Sequence, residues 1–194
     1  MKTFGALLLL CLLASHHVAN AAENYNWGIG AFGGKFYNSS PEDFLTFKDS
    51  KFLDHYILGI TADRTVWRAQ SYPLSVQIEG LLAYQFGKDS YVELGVAPRI
   101  TWSGFPWNDY VYTRFRVAPV GLAITSSRSK LEREKGDGEH LLYYCFFEVA
   151  FSPPKAKENE LFVRLHHRCT FFGQLSNKKI NGEDFFIAGF RRNF

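Results

Sequence analysis

From Leu74 onward, apolar and polar residues alternate one by one over long stretches, and a period of two marks a β-strand with two unlike faces. In Leu74 to Phe86, Leu74, Val76, Ile78, Leu82, Tyr84 and Phe86 share one face, while Ser75, Gln77, Glu79 and Gln85 fill the other. Val92 to Trp102 repeats the pattern, with Glu93, Arg99 and Thr101 on the polar side. Leu141 to Phe151 sets Tyr143, Cys145, Phe147, Val149 and Phe151 opposite Glu148. Leu161 to Phe171 sets Val163, Leu165, His167, Cys169 and Phe171 opposite Arg164, His166 and Arg168. In the last run, 184–194, Phe186, Ala188, Phe190 and Phe194 share one face. With the less regular runs 27–37, 55–61 and 109–124 the total is eight strands. They are separated by turn signals such as Gly87-Lys88-Asp89, Ser103-Gly104-Phe105-Pro106, Ser152-Pro153-Pro154 and Asn181-Gly182. An even-numbered antiparallel barrel closes such a meander without an edge strand. The expectation is an all-β chain: one eight-stranded antiparallel up-and-down barrel over 22–194, with no second domain.

Alternation does not say which face is inside. A soluble barrel buries its apolar face, whereas a transmembrane barrel turns that face to lipid. Three features favour the membrane. The apolar face is heavy in aromatics, drawn from 19 Phe, 10 Tyr and 4 Trp, as an interfacial girdle requires. The polar face of the strands carries Arg, Glu and Gln, while nearly all Lys fall in connections (48, 51, 88, 130, 135, 155, 157, 178, 179), so that face resembles a paired interior. The chain also ends on Phe194, the usual ending of a bacterial outer-membrane barrel. Upstream, Lys2, the apolar run Leu7 to Ala14 and Ala19-Asn20-Ala21 read as a secretory signal over 1–21, which removes Cys11 and leaves Cys145 and Cys169 in an oxidising space. With a periplasmic N-terminus, the connections 38–51, 126–139 and 173–182 fall outside, and the tight turns 103–108 and 152–158 fall inside. A formal charge of +3 excludes a polybasic nucleic-acid binder.

Two ionisable residues break the sidedness rule. Parity puts His167 and Asp184 on the apolar face, with Cys169 beside them. A charged group facing lipid costs up to about 4 kcal/mol at the midplane and less near the interface, so such residues call for compensation or a use. A loop centred near Asn177 sets Cys169 across from about Asp184, with His167 two positions along, which brings nucleophile, base and carboxylate together near the outer leaflet. Cys169 has a rival use: a turn centred near residue 157 sets it opposite Cys145, where the two could form a cross-strand disulfide. No Cys/His spacing suits zinc, and Gly28, Gly30, Gly33 and Gly34 suit close packing better than phosphate binding. No metal and no cofactor are expected. Ser176 is a weaker alternative hydroxyl. Arg128, Lys130, Arg133, Lys135, Lys178 and Lys179 are candidates to meet lipopolysaccharide phosphates.

The segment Arg164-Leu165-His166-His167-Arg168-Cys169-Thr170-Phe171-Phe172-Gly173, followed by Gly182-Glu183-Asp184 and a closing strand to Phe194, resembles the C-terminal signature of the lipid A 3-O-deacylase (PagL-like) family. The resemblance covers about the last thirty residues and implies an eight-stranded outer-membrane barrel that removes an ester-linked 3-hydroxyacyl chain from lipid A. It implies His167 as base, Cys169 in the place of the nucleophilic Ser, and Asp184 (or its neighbour Glu183) as the acid. Thr170 follows the nucleophile and leaves the oxyanion donor unassigned. Lipopolysaccharide in the outer leaflet is the implied partner, with the oligomeric state open, homodimer included. The alternatives are a non-catalytic barrel whose site is degenerate or disulfide-closed, and a soluble secreted lipid-binding barrel.

Overall fold

The computed structural model describes residues 25–38, 51–131, 139–170, 175 and 183–194. The expected signal segment 1–21, Arg133, Lys135, Phe171, Ser176, Lys178 and Lys179 lie outside the described residues. The strands are β1 (Trp27–Asn38), β2 (Lys51–Arg68), β3 (Leu74–Gly87), β4 (Tyr91–Trp102), β5 (Tyr112–Ala118), β6 (Leu122–Thr125), β7 (Leu141–Ser152), β8 (Asn159–Cys169) and β9 (Glu183–Asn193). Each pairs antiparallel with its neighbours, and β9 returns to β1 with Gly28 opposite Asn193 and Phe36 opposite Phe185. The sheet is thereby closed into an eight-stranded barrel, since β5 and β6 together form one stave between β4 and β7.

That stave corrects the expectation of one strand over 109–124. Pro119 supplies no ladder N–H, and the register against β4 slips by one residue between Ile100–Val117 and Val96–Leu122. The inward set changes from Tyr112, Arg114, Arg116 and Ala118 to Gly121, Ala123 and Thr125. Gly121 sits so close to the next strand that a Cβ there would fall 2.5 Å from Ala97 Cβ and 2.6 Å from the Val96 carbonyl. β2 is also longer than its expected 55–61, because Asp63 faces the interior and Arg64 stacks over the Trp27 ring outside (5.3 Å), which hides the alternation.

The polar face is inside. Glu79 takes Arg99 at 2.6 Å and Arg164 at 2.7 and 2.8 Å. Glu148 takes Arg191 and Arg164, each at 2.6 Å, and Arg116 bridges Glu148 (2.8 Å) and Glu160 (2.7 Å). Nearer the outer rim, Glu93 holds His166 (3.0 Å) and Gln85 (2.6 Å). These groups are fully buried and multiply paired, as charges removed from water must be. Phe32, Phe146, Phe162 and Phe185 fill the space between them.

The apolar face is outside. Ile60, Leu82, Leu94, Val96, Ile124 and Val163 stand exposed along the wall between its two ends. Trp27, Trp67, Tyr72, Trp107, Tyr110 and Phe194 are exposed at the end carrying the tight turns, and Phe52, Tyr56, Tyr84 and Phe86 face outward toward the other end. An apolar band between two aromatic rings, around a polar core, is the build of a membrane-spanning barrel.

Candidate active site on the outer wall

β8 and β9 converge at the rim opposite the tight turns, and the register between them decides what meets. His167 lies directly opposite Asp184 on β9 and, on its other side, opposite Cys145 on β7. His167 Nδ1 and Asp184 Oδ1 are 2.6 Å apart, with the imidazole 28% exposed and the carboxylate 12%. Cys169, half-buried at the end of β8, is two residues along the same face and engages His167 in a hydrogen bond. With Nδ1 committed to Asp184, Nε2 is the ring nitrogen left to meet the thiol.

The three residues thus come together, but not in the register the sequence suggested. Asp184 stands opposite His167 rather than Cys169, a register two residues off the one expected. The β7–β8 turn likewise closes one residue earlier than expected, with Ala156 N donating to the Pro153 carbonyl at 3.0 Å. Tyr143, not Cys145, therefore faces Cys169. A displacement of a turn's centre by one residue moves the register by two and preserves which face each residue occupies. For the cysteines the difference is chemical. Diagonal neighbours on adjacent strands lie about 7–8 Å apart, whereas a disulfide spans about 4.4–6.8 Å between Cα atoms. Both cysteines are free thiols.

Glu183, the other candidate acid, faces the barrel interior. It accepts the Tyr91 hydroxyl at 2.6 and 2.8 Å, bonds Ser129 and lies 3.7 Å from Arg168. It belongs to the buried network and is out of reach of the outer-wall imidazole. His166 is likewise internal, tied to Glu93. Cys145, foreseen only as a bridge partner, instead forms one side of the His167 surround.

A polarised imidazole held by a carboxylate and facing a thiol can abstract the thiol proton and later return it to a leaving oxygen. Toward the middle of the strands, Leu165, Val163 and Phe186 extend the same outward face as an apolar track. The class defined by fold and site together is an outer-membrane-type eight-stranded barrel carrying a Cys–His–Asp arrangement on its lipid-facing wall.

Solved structures of that architecture exist. The chain is similar to the outer-membrane enzyme PagL, with a TM-score of 0.57 and 16% identity over 86% of this chain and 99% of that one. It is also similar to Neisserial surface protein A (NspA), with a TM-score of 0.53 and 11% identity over 87% of this chain and 96% of that one. At these identities the likeness is one of fold. No model of a known protein family matches the chain, nor does any curated protein.

Proposed function

We propose that this protein is an outer-membrane ester hydrolase that removes an ester-linked 3-hydroxyacyl chain from lipid A, with residues 1–21 as its export signal and lipopolysaccharide of the outer leaflet as its substrate. The observation that carries this reading is the 2.6 Å His167–Asp184 pair beside Cys169 on the lipid-facing side of the wall. An ionisable cluster there has no structural need that a pair of leucines would not meet better. The substrate of such a site must arrive in the membrane plane.

In the reaction, His167 Nε2 takes the Cys169 proton and the thiolate attacks the ester carbonyl. Asp184 holds the imidazole in the productive tautomer and balances the imidazolium. As the tetrahedral intermediate collapses, the imidazolium protonates the departing sugar oxygen and an acyl thioester remains on Cys169. A water deprotonated by His167 then attacks the thioester, releasing the fatty acid and restoring the thiol. The PagL-like C-terminal signature at 164–173 and 182–184 supports the same assignment, as does the fold likeness to an outer-membrane enzyme.

The test is mass spectrometry of lipid A after incubation with the refolded protein. We expect loss of one 3-hydroxyacyl mass with the wild type and none with Cys169→Ala. Loss with both would keep the esterase and move the nucleophile elsewhere. No loss with a folded wild-type barrel would leave a non-catalytic shell.

A further inference from the structure

A cation stands on the outer wall between two aromatic side chains, Phe186 and Tyr56. Lys35, near the outer end of β1, shares the outward face of Ile29 and Ala31 and is directly opposite Phe186 on β9 and Tyr56 on β2. Phe186 is the next outward residue after Asp184 along β9. Lys35 is therefore a diagonal neighbour of the carboxylate that holds His167, about 7–8 Å away between backbones. A lysine side chain spans much of that distance, and its ammonium can stay at the headgroup level while its stem lies on the apolar wall.

The ammonium is not free. It lies 3.0 Å from Asp54 and 5.2 Å from the Tyr56 ring centroid. Asp54 is 85% exposed, and an exposed pair of this kind is a weak competitor for a better anion. Gly87 pairs with His55, so Lys88, the residue after β3, flanks the same aspartate, and the rim here carries two ammonium groups around one carboxylate. A compact ammonium at the level of lipid headgroups suits a phosphate monoester, which brings more charge and more acceptor oxygens than Asp54.

Building on the esterase reading, we propose that Lys35 is the substrate-binding residue that takes a phosphate of the glycolipid, setting the acyl ester of the same headgroup over Cys169. The phosphate displaces Asp54 from the Lys35 ammonium, and Asp54 returns when product leaves. Only lipids carrying an anion beside the scissile ester are held in register, so the device selects phosphorylated glycolipids over neutral ones.

The experiment compares phosphorylated lipid A with the same lipid after phosphatase treatment, in neutral-detergent micelles, on the refolded full chain. We expect the wild type to have a KM about tenfold lower for the phosphorylated lipid. Lys35→Gln should abolish that difference through KM rather than kcat, and Lys35→Arg should restore it. Lys155→Gln, the same charge loss at the opposite end of the barrel, should keep it. A preference that survives Lys35→Gln, or an equal loss on both lipids, overturns the assignment. Millimolar inorganic phosphate should leave KM unchanged, since the lipid's phosphate arrives anchored at the micelle surface; a raised KM would overturn the lipid source in favour of free phosphate. Equilibrium binding of both lipids to Cys169→Ala, with and without Lys35→Gln, separates this proposal from the esterase reading. A wild type without turnover sinks the esterase, while a tenfold binding preference that vanishes with Lys35→Gln still supports the phosphate contact, and equal binding of both lipids refutes it.

Discussion

The wall of this barrel carries ionisable side chains on both sides, and the two groups are built to different rules. Inside, Glu79 is shared by Arg99, Arg164 and Arg191, and Glu148 by Arg116, Arg164 and Arg191, so each charge has several partners and none meets solvent. Outside, His167 and Asp184 meet each other and a thiol, and the imidazole keeps a quarter of its surface open. A network in which each carboxylate is shared by two or three arginines holds the strands in one arrangement. A pair whose second ring nitrogen faces a thiol is poised for proton transfer. The same residue types thus serve folding on one face and, in the proposed reading, chemistry on the other, and the number of partners tells them apart.

The sharpest way to break that contrast is to remove a group from the outer cluster. Cys169→Ala and His167→Ala should each lower deacylation by at least about 10³-fold, because members of a nucleophile–base unit fail together. Heat-modifiable gel mobility, which reports the closed barrel, should be unchanged. A variant that loses the folded band would place the cluster with the structural charges instead. The inner network should behave in the opposite way. Glu79→Ala leaves three arginines without their shared carboxylate and should cost about 3–5 kcal/mol of stability. That loss would be read as a lower urea midpoint in lipid vesicles, with activity at low denaturant retained.

How far this division was legible beforehand depended on parity. The period of two set out the barrel, its polar interior and its apolar wall, and it placed His167, Cys169 and Asp184 on the same outward face without any knowledge of loop geometry. Register was beyond it, since the centre of a long loop is set by backbone turns rather than by the strands it joins. That is why Asp184 was expected opposite Cys169 and why Cys145 looked like its disulfide partner. The β5–β6 break escaped notice for a related reason: Pro119 and Gly121 flip the parity within three residues, and an averaged pattern smooths over such a flip. Lys35 went unmarked because a single lysine among glycines and aromatics carries no period at all.

A charge placed on the outer wall without a partner measures what the His167–Asp184 pair avoids. Leu82 faces outward near the middle of β3, between the two aromatic rings. Leu82→Arg should destabilise the barrel by about 2–4 kcal/mol in vesicles, the cost of a cation near the midplane. A much smaller cost would mean that this stretch of wall is wetted, and the apolar outside would then be no argument for a catalytic reading of His167 and Asp184.

The smallest effect belongs to Cys145, and it decides between two accounts of the same corner. It sits opposite His167 but does not share the bond to Asp184, and its thiol is half-buried beside the site. If it serves only as packing, Cys145→Ser should change deacylation by less than about threefold, since the exchange is nearly isosteric and the position is not in the deep core. If the strands slid by two residues in the membrane, Cys145 and Cys169 would come face to face, and oxidation would lock the nucleophile in a disulfide. Unreduced wild type would then be inactive, Cys145→Ser would be active without reductant, and a thiol count on folded protein of residues 22–194 would find none free. The observed register instead leads us to expect, in protein refolded from residues 22–194, two reactive thiols in the wild type, one in Cys145→Ser, and the same activity with and without reductant.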